Sequence, residues 1–464
     1  MPSFDTRVPA VLVRLDRNPF HHGTLGAVRS LGRAGIPVHA VVESRTSPVA
    51  RSRHLRTARP GPAAASPAEL ADFLLRVGDE VSDGPSTPLV AVPLDDVTAL
   101  ALARRRAALA PRFLLPEQTE AQLLRVADKA ALAETCAALG LPHPRTALPA
   151  DADEAAAMAR GLGLPVVAKW SRPWLLPPGA GLRSTSIVRS LAEVRELYAR
   201  SPEAGSRLLL QELLPPGRDL DWFFQGYVDS AGRCPTGATG RKERAWPTGA
   251  GLTAAGRWTV NPAVDRTART LLAALGYRGV CDLDFRLDLR TGTYHLLDFN
   301  PRPGAQFRLF TDQDGLDAVR ALHLDLTGRP VPPPSPAYGR RFVAENYALL
   351  SLLAVPRRRY AAETGGVRRR TEWAWCAADD PLPALAMGRA WLVHLLRRAL
   401  AVPRRRWASR TAPGAAPDRT APRRPGPDTT EGRLPGAAAP RAGPRPVRGP
   451  PQVSRWGRPF RRPG

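Results

Sequence analysis

Residues 279–302 read GVCDLDFRLDLRTGTYHLLDFNPR and predict a β-hairpin with acidic side chains on one face. Apolar and charged residues alternate over 281–288, and the alternation returns over 297–300. Successive side chains of a strand point to opposite faces, so each set occupies one face of the hairpin. This alternation is the strongest structural signal in the chain.

A turn centred near Thr291 would place Asp284 opposite Asp298, with Asn300 on the same face. Cβ atoms of opposed residues lie about 5 Å apart, and two ionised carboxylates at that distance repel by roughly 3 kcal/mol at an effective dielectric of about 20. A divalent cation would relieve this repulsion. Two carboxylates and an amide suit Mg²⁺ or Mn²⁺, with phosphate oxygens completing the shell. The alternative is the solvated polar face of an ordinary hairpin.

The N-terminal region predicts alternating strands and helices: strand 9–15, helix 24–33, strand 36–42, strand 88–93 and helix 95–109. This order is typical of a parallel sheet. No GxGxxG follows the first strand, so a dinucleotide site is not supported. His21, His22 and Gly23 follow that strand, where open α/β sheets commonly bind ligands, although loop residues are the simpler interpretation.

The sequence pattern changes at residues 111–116, which are bounded by prolines, and a second region begins there. It predicts helix 121–139, extended segment 142–146, helix 151–162, strand 165–169, connection 171–186, helix 190–199, strands 207–213 and 220–228, connection 236–251, helix 262–275 and the hairpin. A shorter α-rich region at 331–402 follows.

Only three of the 67 basic residues are lysines. Lys129 follows Asp128 at the opening of a helical stretch, Lys169 ends an apolar strand, and Lys242 lies in a Gly-rich connection. A compact ammonium can act as a point charge on phosphate, whereas arginine is a broad planar fork. The lysines therefore indicate phosphate contacts, unless they are accidental survivors at the surface.

The connection 171–186 is rich in Gly, Ser and Thr. Backbone N–H groups at Gly179 and Gly181, with the hydroxyls of Ser184 and Thr185, could close over phosphates. Most stretches of this composition are ordinary loops, which is the alternative.

Taken in order, the Asp-Lys pair, the strand ending in Lys, the Gly-rich loop, QELLPPGRD, GRK and LDFNPR resemble the ATP-grasp superfamily. Within it the chain is most similar to carboxylate–amine ligases of the D-aspartate ligase type. The resemblance covers roughly 115–330, and more loosely the N-terminal region. It implies an α/β plus α+β architecture, with a Rossmann-like pre-ATP-grasp domain at 1–115 and an ATP-grasp domain at 116–330. Pattern and composition, and not the resemblance, predict an α-rich extension at 331–402 and a disordered Arg/Pro-rich tail at 403–464.

The resemblance also implies a role for each matching residue. For the nucleotide, Lys129 and Lys169 match lysines that bind the ATP phosphates, residues 179–186 match the loop that covers the phosphates, and Lys242 matches a basic residue at the γ-phosphate. The segment that meets adenine corresponds to Gln211, Glu212, Leu213 and Leu214, and the acid that binds the ribose hydroxyls corresponds to Asp219. The metal ligands correspond to Asp284, Asp298 and Asn300, and Arg302 matches an arginine that contacts the developing anion.

Two features depart from the family pattern. The second metal ligand is usually Glu, and here it is the shorter Asp298, which implies either a slightly tighter site or a metal that is held differently. The loop after Lys169 is long and carries Trp170, Trp174 and several prolines, which form either an apolar substrate wall or a stiff loop.

The implied activity is ATP-dependent ligation of a small carboxylate to a small amine through an acyl phosphate, with Mg²⁺ or Mn²⁺. Two alternatives stay open. One is a phosphotransferase that forms no amide. The other is a basic-tailed binder of anionic polymers or membrane surfaces without ligase activity.

The formal net charge is +25, and residues 403–464 carry 15 arginines against Asp418, Asp428 and Glu431. Such a tail cannot bury enough apolar surface to order itself, and it predicts no specific nucleic-acid reader. Scattered cysteines and an N-terminus without a signal-peptide core predict a cytoplasmic protein. The apolar helix 384–402 predicts packing on the core, with peripheral contact to a membrane surface as the alternative.

Overall fold

The computed structural model describes residues 2–62, 66–82, 84, 87–247, 251–354 and 371–408, with only the backbone of 398–408. All described elements up to Val402 lie in one compact unit, Met1–Val402. Three sheets organise it.

The first sheet is parallel and has the order β3-β2-β1-β4-β5. Its strands are β1 Ala10–Val13, β2 Val38–Val42, β3 Thr57–Pro60, β4 Leu89–Pro93 and β5 Phe113–Leu114; its helices are α1 His22–Arg33, α2 Pro67–Val81, α3 Asp96–Arg104 and α4 Arg106–Leu109, with a 3₁₀ turn at Pro48–Arg51. The predicted parallel sheet is confirmed.

Central strand β1 is buried on both faces, which explains its unbroken apolar sequence AVLV. It lies between β2 and β4. The sheet therefore grows to one side of β1 through β2 and β3, and to the other side through β4 and β5. The loops after β1 and β4 therefore border the crevice where open α/β sheets bind ligands.

The second sheet is antiparallel and has the order β6-β9-β7-β8. Its strands are β6 Thr146–Ala147, β7 Val166–Trp170, β8 Thr185–Val188 and β9 Leu208–Glu212; the neighbouring helices are α5 Glu120–Ala127, α6 Lys129–Ala138, α7 Ala152–Leu162, α8 Leu191–Ala199 and α9 Ser201–Ala204, with a 3₁₀ turn at Pro173–Leu175. Its core includes Ala155, Val166 and Val194, so α7 and α8 cover one face.

The third sheet is the largest, with the order β14-β13-β10-β11-β12-β15-β16. Its strands are β10 Asp221–Val228, β11 Ala238–Trp246, β12 Leu252–Trp258, β13 Gly279–Asp288, β14 Thr293–Asn300, β15 Arg341–Val343 and β16 Thr371–Trp373. The accompanying helices are α10 Pro262–Ala274, α11 Ala318–Leu326, α12 Glu345–Ala354 and α13 Leu382–Ala408, with a 3₁₀ turn at Phe307–Phe310.

Two predicted elements are corrected by the structure, and strands are added to a third. The helix expected over 121–139 breaks at Asp128, whose extended backbone and carboxylate cap α6 at the N–H groups of Ala130 and Ala131. The connection expected over 236–251 is mostly strand β11, so Lys242 lies in a strand. The region 331–402 is not only helical, because β15 and β16 extend the large sheet.

Helix α13 continues past Val402 to Ala408, into the start of the predicted tail. The rest of that predicted tail, 409–464, lies outside the described residues. Among the described residues, no helix combines the length and the apolarity needed to cross a bilayer.

Candidate active site

Strands β13 and β14 form the predicted hairpin, and its register brings three predicted metal ligands together. Asp284 pairs with Asp298, and Asn300 pairs with Asp282. Directly opposed residues point to the same face of a sheet. The sequence-based expectation for Asp284 and Asp298 is therefore confirmed as geometry.

Two lysines from outside the hairpin reach Asp298. Lys129 opens α6, and its Nζ donates to Asp298 Oδ1. Lys169 comes from β7 of the small sheet, and its Nζ lies 3.5 Å from Asp298 Oδ2 and donates to the Leu297 carbonyl at 2.9 Å. Both side chains are largely buried, so these are interior contacts.

The third lysine reaches the other aspartate. Lys242 Nζ on β11 lies 3.4 Å from Asp284 Oδ1 and 3.3 Å from the Gly251 carbonyl. All three lysines of the chain thus converge on the two opposed aspartates of one hairpin. Three chance survivors at the surface would not do this, and that alternative is wrong.

The charges of these groups are coupled. Burial raises the pKa of Asp298, but the ammonium groups of Lys129 and Lys169 outweigh burial and hold the pKa at about 2. Burial lowers the pKa of Lys242, but the charges of Asp284, Asp221 and Asp282 together outweigh burial, so the net shift is upward. For Lys169 burial prevails, and its pKa is lowered.

Asp282 contacts the proposed metal ligand Asn300. It is not among the site residues that the sequence predicts. Its Oδ1 accepts a hydrogen bond from Gln225 Nε2 at 2.7 Å, and its Oδ2 accepts one from Asn300 Nδ2 at 3.3 Å. Burial, and then the charge of Asp284, raise the pKa of Asp282 to about 7. The alternation in 281–288 was the signal that could have identified it.

The segment after the hairpin approaches Asp282 closely. A Cβ at Gly304 would lie 2.0 Å from Gln225 Nε2 and 2.7 Å from Asp282 Oδ1, so only glycine fits there.

Arg302 connects the hairpin to the N-terminal sheet. Its Nε lies 3.2 Å from Asp96 Oδ1 in the first turn of α3, and its Nη1 lies 3.9 Å from Asp282 Oδ2. The neighbouring Asp95 caps α3 and also accepts hydrogen bonds from the N–H groups of Leu15 and Asp16, after β1. The crevice beside β1 and β4 thus opens next to Arg302. Asp96 was not predicted, because nothing in the local sequence indicates its distant partner.

No family model matches the chain. D-aspartate ligase from Enterococcus faecium (strain Aus0004) is 22% identical over 266 residues, which cover 55% of this chain and 62% of that protein. The chain therefore spans less than two thirds of this relative.

Solved structures are similar at the level of the fold. N5-carboxyaminoimidazole synthetase from Staphylococcus aureus, in complex with ADP, has a TM-score of 0.54 at 11% identity, over 72% of this chain and 80% of that one. L-amino acid ligase from Bacillus licheniformis has a TM-score of 0.51 at 14% identity, over 69% and 75%. Biotin carboxylase from Campylobacter jejuni has a TM-score of 0.51 at 14% identity, over 70% and 72%. The chain has an ATP-grasp fold.

In this ATP-grasp fold the loop predicted to cover phosphates is partly a strand. Thr185 begins β8 and pairs with Lys169, and the Ser184 carbonyl accepts a hydrogen bond from the N–H of Trp170. Gly179 and Gly181 have φ of 86° and 72°, a backbone conformation that favours glycine. The loop is therefore held by strand pairing next to Lys169. Its tip, at Gly179 and Gly181, adopts backbone conformations that favour glycine.

The two tryptophans of this loop pack inside the protein. Trp170 lies in the core of the small sheet, and the partly buried Trp174 packs against the cluster beneath the hairpin. This arrangement favours the stiff loop over the apolar substrate wall.

The segment predicted to meet adenine lies at the end of β9. Gln211 is buried, and its Nε2 donates to Thr146 Oγ1 at 3.0 Å. Glu212 accepts hydrogen bonds from the backbone N and the Nε of Arg145, so its carboxylate already has a partner. Leu214 is buried, whereas Leu213 is half-buried.

Asp219 is the only non-glycine residue in the described chain with positive φ, at 63°. Its carboxylate lies 3.3 Å from Arg218 Nε and 3.4 Å from Arg241 Nε, and Arg241 precedes Lys242 on β11. An unfavourable backbone held in this position is a common mark of a functional site.

His21 and His22 have structural partners. His21 Nδ1 accepts a hydrogen bond from the N–H of Thr24 and caps α1. The buried His22 ring packs against Phe342 and Tyr347, with centroids 5.5 and 6.0 Å away. These contacts favour the interpretation that both histidines are structural.

The donor set fits Mg²⁺ or Mn²⁺. Opposed carboxylates on Asp284 and Asp298, with the Asn300 amide beside them, are hard oxygen ligands. Within the described ranges, no three His, Cys, Asp or Glu side chains form a metal cage of their own. Mg²⁺ is commonly bound by one or two carboxylates together with substrate phosphates, so this incomplete set suits a nucleotide-bound ion.

Proposed function

We propose that this ATP-grasp protein is an ATP-dependent carboxylate–amine ligase that forms an amide through an acyl-phosphate intermediate. The observation that carries the proposal is the convergence of Lys129, Lys169 and Lys242 on the opposed Asp284 and Asp298. Phosphoryl transfer depends mainly on positioning and on neutralising negative charge. A cleft with three buried ammonium groups supplies both.

Lys129 and Lys169 would bind the phosphates of ATP. In the structure they contact Asp298 instead, and we expect them to exchange that carboxylate for phosphate oxygens when nucleotide binds. The backbone of 179–186, with the hydroxyls of Ser184 and Thr185, would then cover the phosphates. The pairing of Thr185 with Lys169 supports this arrangement.

Gln211, Glu212, Leu213 and Leu214 would meet adenine, and Asp219 would bind the ribose hydroxyls. Because Arg145 occupies the Glu212 carboxylate and Arg286 binds the Leu214 carbonyl, adenine would meet chiefly the backbone of Leu213. The strained backbone of Asp219 supports its role.

Asp284, Asp298 and Asn300 would hold Mg²⁺ or Mn²⁺, which when bound would neutralise phosphate charge and orient the phosphate oxygens. Asp282 would orient Asn300 through their hydrogen bond. The short Asp298 suits a tight site because Lys129 and Lys169 already approach it.

In the proposed reaction, a carboxylate oxygen of the substrate forms a bond to the γ-phosphorus of ATP as the bond to ADP breaks. The amine nitrogen then bonds to the carbonyl carbon of the acyl phosphate, loses a proton, and expels inorganic phosphate. Lys169 and Lys242 would offset charge on the transferring group, and Arg302 would offset charge on the tetrahedral intermediate.

Small-molecule substrates would bind beside Arg302, where the crevice between β1 and β4 opens toward the hairpin. Two of the similar proteins are by name ligases of amino acids, which supports an amino acid or a close analogue as one substrate. The division of the chain into domains at 1–115, 116–330, 331–402 and 403–464 stays a prediction. A cytoplasmic location also stays a prediction.

The test is a coupled ADP-release screen of small carboxylates and amines, with mass analysis of the products. Ligation gives a joined product and free phosphate, whereas the rival phosphotransferase gives a product that retains phosphate. Asp298→Ala should abolish release. Asp153→Ala, at a fully exposed surface pair with Arg195, should leave it unchanged. No nucleotide-dependent turnover with any pair would leave only a binding function and would contradict the proposal.

A further inference from the structure

Helix α13 presents apolar side chains on both of its sides. On one side Met387 is buried and Ala384, Ala390 and Trp391 pack against the main core cluster, which confirms the predicted core packing. On the other side five large aliphatic residues are exposed by 42 to 69%: Leu382, Leu385, Leu392, Val393 and Leu396. Core packing therefore explains only half of this helix. We call these five residues the α13 stripe.

The five residues of the stripe share one side of α13. At 3.6 residues per turn they fall within about 100° of arc. Single apolar residues are normal on a protein surface, whereas a group of exposed aliphatic residues on one side of a helix indicates an interaction site. No contact among the described residues covers it.

The charge of α13 and of nearby segments of the sequence indicates the chemistry of the occupant. Residues 382–408 contain six arginines and no acid, and exposed Arg389 and Arg397 lie within and beside the stripe. The sequence then continues for 56 residues, 409–464, and 403–464 carries a net charge of +12. The segment 355–370 adds two arginine triplets against Glu363. An aliphatic stripe set among arginines complements a surface that is apolar inside and anionic outside.

We propose that the α13 stripe docks on the surface of an anionic lipid bilayer, with the leucines entering the headgroup region and the arginines contacting lipid phosphates. Interfacial helices combine a shallow apolar face with basic residues, and each basic residue near an anionic surface adds to binding. Long arginine stems allow the charge to stay at the headgroups while the stem lies along apolar surface.

Two other occupants fit less well. A second copy of the chain would bring a face with the same positive charge, so symmetric pairing through the stripe would be repelled. The tail 403–464 carries the same sign of charge and few aliphatic residues. An acidic partner protein stays as an outcome of the test.

The experiment uses the full chain and flotation with vesicles of phosphatidylcholine alone or with added phosphatidylglycerol. The variant Leu385→Gln/Leu392→Gln removes two stripe residues. The matched control Val260→Gln/Leu289→Gln removes two equally exposed aliphatic residues elsewhere. Thermal unfolding should be similar in the two variants, because all four side chains are exposed.

We expect the wild type and the control to bind phosphatidylglycerol vesicles, and the stripe variant to bind at least about tenfold more weakly. Arg389→Gln/Arg397→Gln should weaken binding to anionic vesicles, and deletion of 409–464 should lower affinity but keep its dependence on the leucines.

Equal binding by the stripe variant and the control would overturn the proposal, since charge alone would then account for attachment. A wild-type dimer that the stripe variant converts to a monomer would assign the stripe to a second copy and would also overturn it. Absence of binding by the wild type to phosphatidylglycerol vesicles would also overturn the proposal. None of these outcomes depends on whether the protein is a ligase.

Discussion

Lys169 Nζ lies 3.5 Å from Asp298 Oδ2, although the lysine comes from β7 of the small sheet and the aspartate from β14 of the large one. This ion pair joins the two sheets at the point where the proposed phosphate chemistry takes place. Burial lowers the pKa of Lys169, so its charge depends on an anionic neighbour. We expect the partner to change from aspartate to phosphate when nucleotide binds.

Lys169→Ala should lower ADP release with the true substrate pair by about 10²–10³, because a preorganised charge on the transferring group is lost. Lys169→Arg should not restore the rate, since the planar guanidinium does not fit a buried position shaped for an ammonium. Steady-state kinetics measure both. Arg195→Ala, at an exposed ion pair, is the control and should be unchanged. Full activity in Lys169→Ala would contradict the assigned role.

Addition of ATP with Mg²⁺ should raise the melting temperature of the wild type, because ligands that bind only the folded state stabilise it by mass action. Asp298→Asn should show little of this shift, since it lacks one of the two carboxylates proposed to hold the divalent ion. Differential scanning fluorimetry over a nucleotide series measures it. A parallel series with ATP and no divalent ion shows how much of the shift in melting temperature depends on the metal. An equal shift in wild type and variant would remove Asp298 from the site.

The sequence predicted the hairpin well, and the reason is local. Alternation over 281–288 and 297–300 determines faces, and a short turn sets the register that pairs Asp284 with Asp298. The convergence of the lysines was different. It depends on contacts between distant segments, and only the resemblance to ATP-grasp proteins placed Lys129, Lys169 and Lys242 in one site.

Other features were missed for identifiable reasons. The sequence of strand β11, ATGRKERAW, predicts a connection and not a strand, because polar residues and Gly240 hide its alternation. The break at Asp128 was missed because apolar periodicity continues through α5 and α6 while the aspartate caps the second helix. The contact of Arg302 with Asp96 joins two regions of the fold, and no local pattern in sequence indicates it.

Asp219 should separate a backbone effect from a side-chain effect. Its φ of 63° favours glycine, so Asp219→Gly should be more stable than Asp219→Ala by about 1 kcal/mol. Both variants lose the carboxylate proposed to bind ribose and should raise the KM for ATP to a similar extent. Urea unfolding and ATP-dependent kinetics give the two readouts. An unchanged KM in both variants would remove Asp219 from the nucleotide site and leave its strained backbone without a function.

Glu372 should contribute stability that is lost in acid. It accepts hydrogen bonds from Arg308 Nε at 2.7 Å and Arg340 Nη2 at 3.0 Å, which tie β16 to the segment after the hairpin. Burial raises its pKa, but the two arginines outweigh burial, so the net shift is downward from 4.5. A carboxyl group with a depressed folded pKa stabilises the protein above its unfolded value, and that stability is lost as pH falls through the folded value.

Glu372→Gln should therefore cost about 1–3 kcal/mol of unfolding free energy at neutral pH, because two buried guanidinium groups lose their charged partner. The difference from wild type should shrink as pH falls below the ordinary value of 4.5, where the unfolded chain begins to bind a proton at Glu372, and should be lost as pH falls through the lower folded pKa. Urea titrations at a series of pH values measure this difference. Glu80→Gln, at the exposed pair with Arg59, should cost less than about 1 kcal/mol at every pH. A difference for Glu372→Gln that stays constant into acid would mean that lost packing, and not the lost charge, destabilises the variant.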